Sequence, residues 1–117
     1  KMNDRKQKFR ISVEEALAKL PTPEGKLFAD VFKRGDLKVE IYAPHGTDPQ
    51  KPHSRDEIYF VAHGEGLFIC EDARQPFGAG DFLFAPAGVA HRFEDFSEDL
   101  AVWVIFFGPE GGYEPGV

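Results

Sequence analysis

Cysteine is almost absent. Cys70 is the one thiol in 117 residues, so no disulfide can close within the chain and no secretory cystine framework exists. Long apolar runs are missing too: the longest, Leu100 to Phe107 (LAVWVIFF), has the length of a strand and falls far short of a bilayer. The N-terminus is charged with no apolar stretch behind it, so no signal peptide is read there and a soluble cytoplasmic protein is expected, with no membrane partner. Basic charge is scarce outside that terminus. The first ten residues hold five basic side chains against one acid, and the rest of the chain holds nine against nineteen. An acidic body repels phosphate, so no nucleic-acid partner is expected and the basic segment reads as a solvated arm. No internal repeat or low-complexity stretch is present.

What the chain does have is an apolar share of 42% and an aromatic share of 14%, enough for one packed domain and too little length for a second. One helix signal stands near the start. Ser12-Val-Glu-Glu15 is a capping-box pattern leading into an apolar face of Val13, Ala16, Leu17 and Leu20 before Pro21, so a short helix over 13–20 is predicted. After Pro23 the texture is all-β, with short strands between glycine, proline and acidic turns. Strands are predicted near Lys26–Lys33, Leu37–Ala43, Glu57–Ala62, Gly66–Glu71, Asp81–Ala85, His91–Glu94 and Leu100–Phe107. Arg34-Gly35-Asp36 and His63-Gly64-Glu65-Gly66 read as tight turns between neighbouring strands. Leu37, Val39 and Ile41 alternate with Lys38, Glu40 and Tyr42, giving that strand one wet side, whereas the last strand does not alternate and should be buried on both faces. In a domain this small, the second buried face points to a homodimer. The division expected is an arm and helix over 1–23, a barrel over 24–110 and a tail over 111–117.

Two stretches carry chemistry. In PHSRDEIYFVAHGEG (52–66), His53 and Glu57 stand at the entrance of an apolar strand, where an ionised carboxylate needs a cation, a metal or a proton. In GDFLFAPAGVAHRFED (80–95), Gly80, Pro86, Gly88, His91 and Asp95 form a spaced framework. Taken singly, His53 is a surface histidine with Glu57 as its ion-pair partner, and His91 caps a turn. Together with Gly64, the two stretches resemble the paired motifs of the cupin superfamily, of the small single-domain type, over roughly residues 24–108. Asp95 stands where that family usually has asparagine, and Lys51 where it commonly has a further histidine. Lys51 offers no lone pair at neutral pH.

The resemblance implies an all-β jelly-roll barrel preceded by the short helix. It implies a divalent transition metal (iron(II), manganese, zinc, nickel or copper) held by His53, Glu57 and His91, with the Gln50 amide oxygen as a fourth candidate. Two imidazoles and a carboxylate are the ligand set of non-haem iron oxygenases with open coordination positions. A metal-dependent dioxygenase acting on a small organic molecule is therefore the leading function. A metal-assisted isomerase, lyase or decarboxylase and a non-catalytic ligand-binding cupin are the alternatives. By parity Tyr59 and Val61 share the face of Glu57, and Phe93 that of His91, so an aromatic, dry pocket wall is expected, with Tyr59 as a candidate acid. Phe84 is expected in the core, Asp56 on an arginine (Arg55 or Arg92), and Cys70 as a small buried hydrophobe. His45 and His63 read as ordinary loop and turn histidines.

Overall fold

Ser12 opens the first element as its sequence pattern predicts. In the computed structural model, which describes residues 9–116, the Ser12 hydroxyl accepts from the Glu15 amide at 3.0 Å and the Glu15 carboxylate accepts from the Ser12 amide at 3.1 Å. The reciprocal pair satisfies two amide donors that a helix start otherwise leaves open. Helix α1 is Val13–Leu17, shorter than the predicted 13–20 because the chain passes into a turn before Pro21. Residues 1–8, most of the basic arm, lie outside the described residues.

Eight strands follow: β1 (Phe28–Arg34), β2 (Leu37–Tyr42), β3 (Asp56–His63), β4 (Gly66–Cys70), β5 (Ala73–Phe77), β6 (Phe82–Ala85), β7 (His91–Glu94) and β8 (Ala101–Phe107). Seven match the predicted set. The eighth, β5, reads ARQPF and was not predicted, because it carries no apolar alternation. It is an edge strand with four of its five residues exposed, a place where a proline is tolerated.

All pairings are antiparallel. The strands form a five-stranded sheet in the order β1-β2-β8-β3-β6 and a three-stranded sheet in the order β5-β4-β7. Only the first of the two predicted turns is a hairpin. The His63–Gly66 turn carries the chain from one sheet to the other, since β3 and β4 pair with different partners. Gly64 is required there. Its φ is +94°, and a Cβ would lie 2.7 Å from the Ser97 hydroxyl and 2.8 Å from the Leu100 Cα.

The core lies between the two sheets. Tyr59, Val61, Val102, Val104 and Phe106 from the larger sheet meet Phe68, Phe77 and Phe93 from the smaller one. Tyr59 stacks edge-on against Phe93 and Phe68 at ring separations of 5.0 and 5.7 Å, which adds geometry-specific attraction to area burial. Burying one such side chain contributes about 1.5–3 kcal/mol.

Cross-strand register shows what faces this interior. Lys38, Phe106, Glu57 and Ala85 form one row across the larger sheet, and Glu40, Val104, Tyr59 and Leu83 the next. The wet side of β2 thus points into the molecule. Two predictions are corrected here. Phe84 is 42% exposed, because its inward-facing neighbours on β6 are Leu83 and Ala85. On β8, Val102, Val104 and Phe106 are buried while Trp103, Ile105 and Phe107 on the opposite face are only half-buried.

Candidate metal centre

Three side chains from different parts of the fold converge at one end of the interior. His53 sits on the loop before β3, Glu57 is the second residue of β3, and His91 opens β7 on the opposite sheet. Backbone contacts hold the two motifs together: the Gly88 amide donates to the His53 carbonyl at 2.7 Å, and Gly88 adopts φ +78° to do so. Asp95, at φ +49°, takes the left-handed conformation that asparagine and aspartate both tolerate, which accounts for the acid in place of the family's amide.

The Glu57 carboxylate oxygen Oε1 lies 3.1 Å from His91 Nε2 and 3.8 Å from His53 Nε2. One ligand atom from each of the three residues falls within 4.8 Å of the others. Glu57 and His91 are almost wholly buried, whereas the His53 side chain is 38% exposed, so the site opens on the His53 side.

Tautomer follows from the second-layer contact. His91 Nδ1 lies 2.9 Å from the Val89 carbonyl, which can only accept, so the proton sits on Nδ1 and the Nε2 lone pair is turned toward Glu57. With the His91 proton on Nδ1, neither Glu57 Oε1 nor His91 Nε2 carries a hydrogen to donate, and both are buried without a hydrogen-bond partner. Two electron-rich atoms buried face to face are costly unless a proton or a metal cation lies between them. The donor set of two imidazole nitrogens and a carboxylate fits a divalent transition metal. Burial depresses the His91 imidazolium, but the Glu57 carboxylate and the Val89 carbonyl outweigh it and leave the pKa raised.

Behind the site lies a hydrogen-bonded network whose centre, Asp48, sequence reasoning missed. Its carboxylate accepts from the Tyr42 hydroxyl, from Gln50 Nε2 at 2.7 Å and from the Phe93 amide at 2.8 Å. The Gln50 amide oxygen accepts from the Tyr59 hydroxyl at 2.9 Å and faces His53 Nε2 at 3.4 Å. Gln50 thus lies beside the three converging residues. Tyr59 is committed to Gln50 rather than pointing at open space, and burial first, then Glu57, pushes its pKa up. The phenol is a fixed donor and not a mobile acid. A lone aspartate in a proline-rich loop offers no local signal for this role.

Asp56 accepts from the amides of Ala87 and Tyr113 at 3.0 and 2.9 Å, correcting the expected arginine partner. Arg55 instead donates to the carbonyls of Gly108 and Asp36, and Arg92 pairs with Glu94. Lys51, His45 and His63 are exposed. Cys70 is partly buried against the core, and burial pushes its thiol up.

A cavity of about 480 Å³ adjoins the site, with His53 and Glu57 in its wall. Its other lining includes Lys38, Glu40, Phe28 and Phe106. The wall is therefore aromatic but not dry, a second correction to the sequence reading.

A family model described as the Cupin domain matches residues 38–107. The chain belongs to the cupin family. An uncharacterised protein of Streptomyces coelicolor is 38% identical over 85 residues, spanning 71% of this chain and 81% of the relative. Among solved structures, a cupin 2 conserved barrel domain protein from Salinispora arenicola superposes with a TM-score of 0.65 at 17% identity, covering 89% of this chain and 91% of that one. A Ralstonia eutropha protein, whose suggested activity is that of a mannose-6-phosphate isomerase, gives a TM-score of 0.54 at 26% identity over 68% of this chain and 81% of its own. This cupin has no helix, among its described residues, long and apolar enough to cross a membrane.

Proposed function

We propose that this cupin is a metal-dependent enzyme acting on a small organic molecule, with His53, Glu57 and His91 as the ligands and Gln50 beside them. The carrying observation is the unpaired, buried juxtaposition of Glu57 Oε1 and His91 Nε2 next to His53. Two imidazoles and one carboxylate would hold such an ion with fewer protein ligands than its full coordination, which would suit oxygen activation and makes dioxygenation the leading reaction. A divalent ion held by these residues would supply charge stabilisation at a substrate oxygen, and redox capacity if it were iron or copper. The chain's own parts are clear in role. His91 and Glu57 are oriented by Val89 and β3, the Tyr59–Gln50–Asp48 network fixes the loop carrying His53, and Phe106 shields the ligands, its ring lying 5.1 Å from that of His53.

A second reading, a metal-assisted isomerase or lyase, is favoured by Glu40. It is a buried carboxyl in the cavity wall whose pKa burial raises, a state suited to moving a proton. The suggested activity of the Ralstonia eutropha protein agrees with this alternative. Metal analysis of untagged protein, followed by oxygen-electrode assays of iron(II)-loaded protein against small organic substrates, separates the two. Substrate-dependent oxygen uptake is expected for the first reading. Turnover with zinc or manganese and no oxygen uptake selects the second, and absence of bound metal after loading rejects both.

A further inference from the structure

The inward-facing side of β2 is not used by the metal ligands, and it is the most unusual surface in the interior. Lys38 and Glu40 stand on the cavity wall, in rows with Phe106–Glu57 and Val104–Tyr59. The Lys38 ammonium pairs with the Glu40 carboxylate at 3.2 Å and lies 5.2 Å from the centre of the Phe106 ring. The same ring is 5.1 Å from that of His53. One aromatic ring therefore separates the ammonium from the candidate metal ligands. At another part of the cavity wall Lys26 repeats the arrangement, its ammonium 5.5 Å over Phe28.

We propose that this pocket takes a small organic acid whose carboxylate is received by Lys38, its apolar body lying along Phe106 and its far end facing His53, Glu57 and His91. The inference rests on the metal-enzyme reading and adds the substrate class to it. An ammonium carries three N–H donors, and Glu40 occupies only part of that capacity. The charges of Lys26, Lys38, Glu40 and Glu57 in the wall balance one another. Asp30, beside Glu40, is paired with Lys33 at 3.2 Å, and Asp48 behind the wall adds one negative charge, so a divalent ion at the three ligands would leave the pocket with a net single positive charge, a field that draws in an anion. Asp48 lies behind this wall with its carboxylate engaged by Tyr42, Gln50 and the Phe93 amide. The Lys38 ammonium is already shared with Glu40 and Lys26 stands at another part of the wall, so the ammonium beside Phe106 matches a monoanionic carboxylate better than a doubly charged phosphate. Burial raises the Glu40 pKa and Lys38 opposes it, so a second carboxylate on Lys38 is accommodated by protonation of Glu40.

The test is a titration of the ¹⁵N-labelled full chain, metal-free and zinc-loaded, with hexanoate, hexanamide and butyl phosphate, following the amides of Lys38, Glu40 and Phe106. Hexanoate is expected to bind at least tenfold more tightly than hexanamide and more tightly than butyl phosphate. Lys38→Met should remove that preference, leaving hexanamide and zinc affinities within twofold of wild type, and Lys38→Arg should restore it. Glu40→Gln, which removes the competing carboxylate, should tighten hexanoate binding severalfold. Equal binding of hexanoate and hexanamide, or unchanged hexanoate affinity in Lys38→Met, overturns the proposal; the latter is the result if the carboxylate coordinates the metal directly. Tighter binding of butyl phosphate overturns the carboxylate assignment. A chain that takes up no zinc refutes the metal reading alone, because the Lys38→Met comparison stands in the metal-free protein.

Discussion

The two faces of the five-stranded sheet reverse the usual arrangement of a small β domain. Its inner face carries Lys38, Glu40, Tyr42 and Glu57, and the hydroxyl of Tyr59, between the apolar rows of β8. Its outer face carries Phe60, Phe82 and Phe84, exposed at 44%, 56% and 42%, with the rings of Phe60 and Phe82 5.6 Å apart. A polar stripe inside a barrel is costly unless it is hydrogen-bonded or holds a ligand. An exposed cluster of large aromatics is likewise unusual on a monomer and marks a contact surface. The proposed function lies inside the sheet and the proposed association outside it, so substitutions on the two faces should fail in different ways.

The largest effect is expected from the interior packing. Phe93→Ala should cost ~3–5 kcal/mol in chemical denaturation, since it empties the ring contact with Tyr59 across the sheets and those with Phe68 and Phe77 on its own sheet. Phe84→Ala, on the outer face, should leave monomer stability within about 0.5 kcal/mol. Equal losses at the two positions would erase the distinction between the faces.

Next in size is the metal-linked stability. In the wild type, metal at a hundredfold excess over its dissociation constant should raise stability by about 2.7 kcal/mol. His91→Ala should abolish that increment while the chelated proteins differ much less, as read from melts with and without zinc or manganese. This increment should also depend on pH. The raised His91 pKa means that the metal-free fold is favoured below the unfolded imidazole value and loses that contribution as pH rises through the folded value. Metal needs the neutral imidazole and gains over the same window. The gap between loaded and free melting temperatures should therefore widen as pH rises toward the raised His91 value and level off above it. A gap that narrows there would show that His91 is not a ligand.

The smallest expected effect on the fold concerns assembly. We propose a homodimer formed through the outer face, and Phe60→Lys with Phe82→Lys should convert it to monomer in sedimentation equilibrium without loss of zinc binding. A wild type that sediments as a monomer at high micromolar concentration rejects the dimer outright.

The candidate site was partly legible in the chain because its three residues lie in two motifs that resemble those of the cupin family. Pro86 and Gly88 shape the loop before His91, and a carboxylate at a strand entrance calls for a counter-charge. Asp48 and the Lys38–Glu40 pair left no such mark. A polar residue on an alternating strand has the same sequence signature whether its face meets water or a cavity, so β2 was read as half-solvated. Phe84 shows the converse: an aromatic on a strand looks like core until register places Leu83 and Ala85 inward instead.

What the sequence determined by itself was the all-β class and the capped helix start, because these depend on local spacing along the chain; the trio His53, Glu57 and His91 came from the resemblance of its two motifs to the cupin family. Tertiary structure decided which side of each strand became the interior, since that follows from the pairing of β2 and β3 with β8, strands distant in sequence. Side chains alternate with a period of two, so a single choice of face by one sheet sent Lys38 and Glu40 to the cavity and Phe60, Phe82 and Phe84 to the outside.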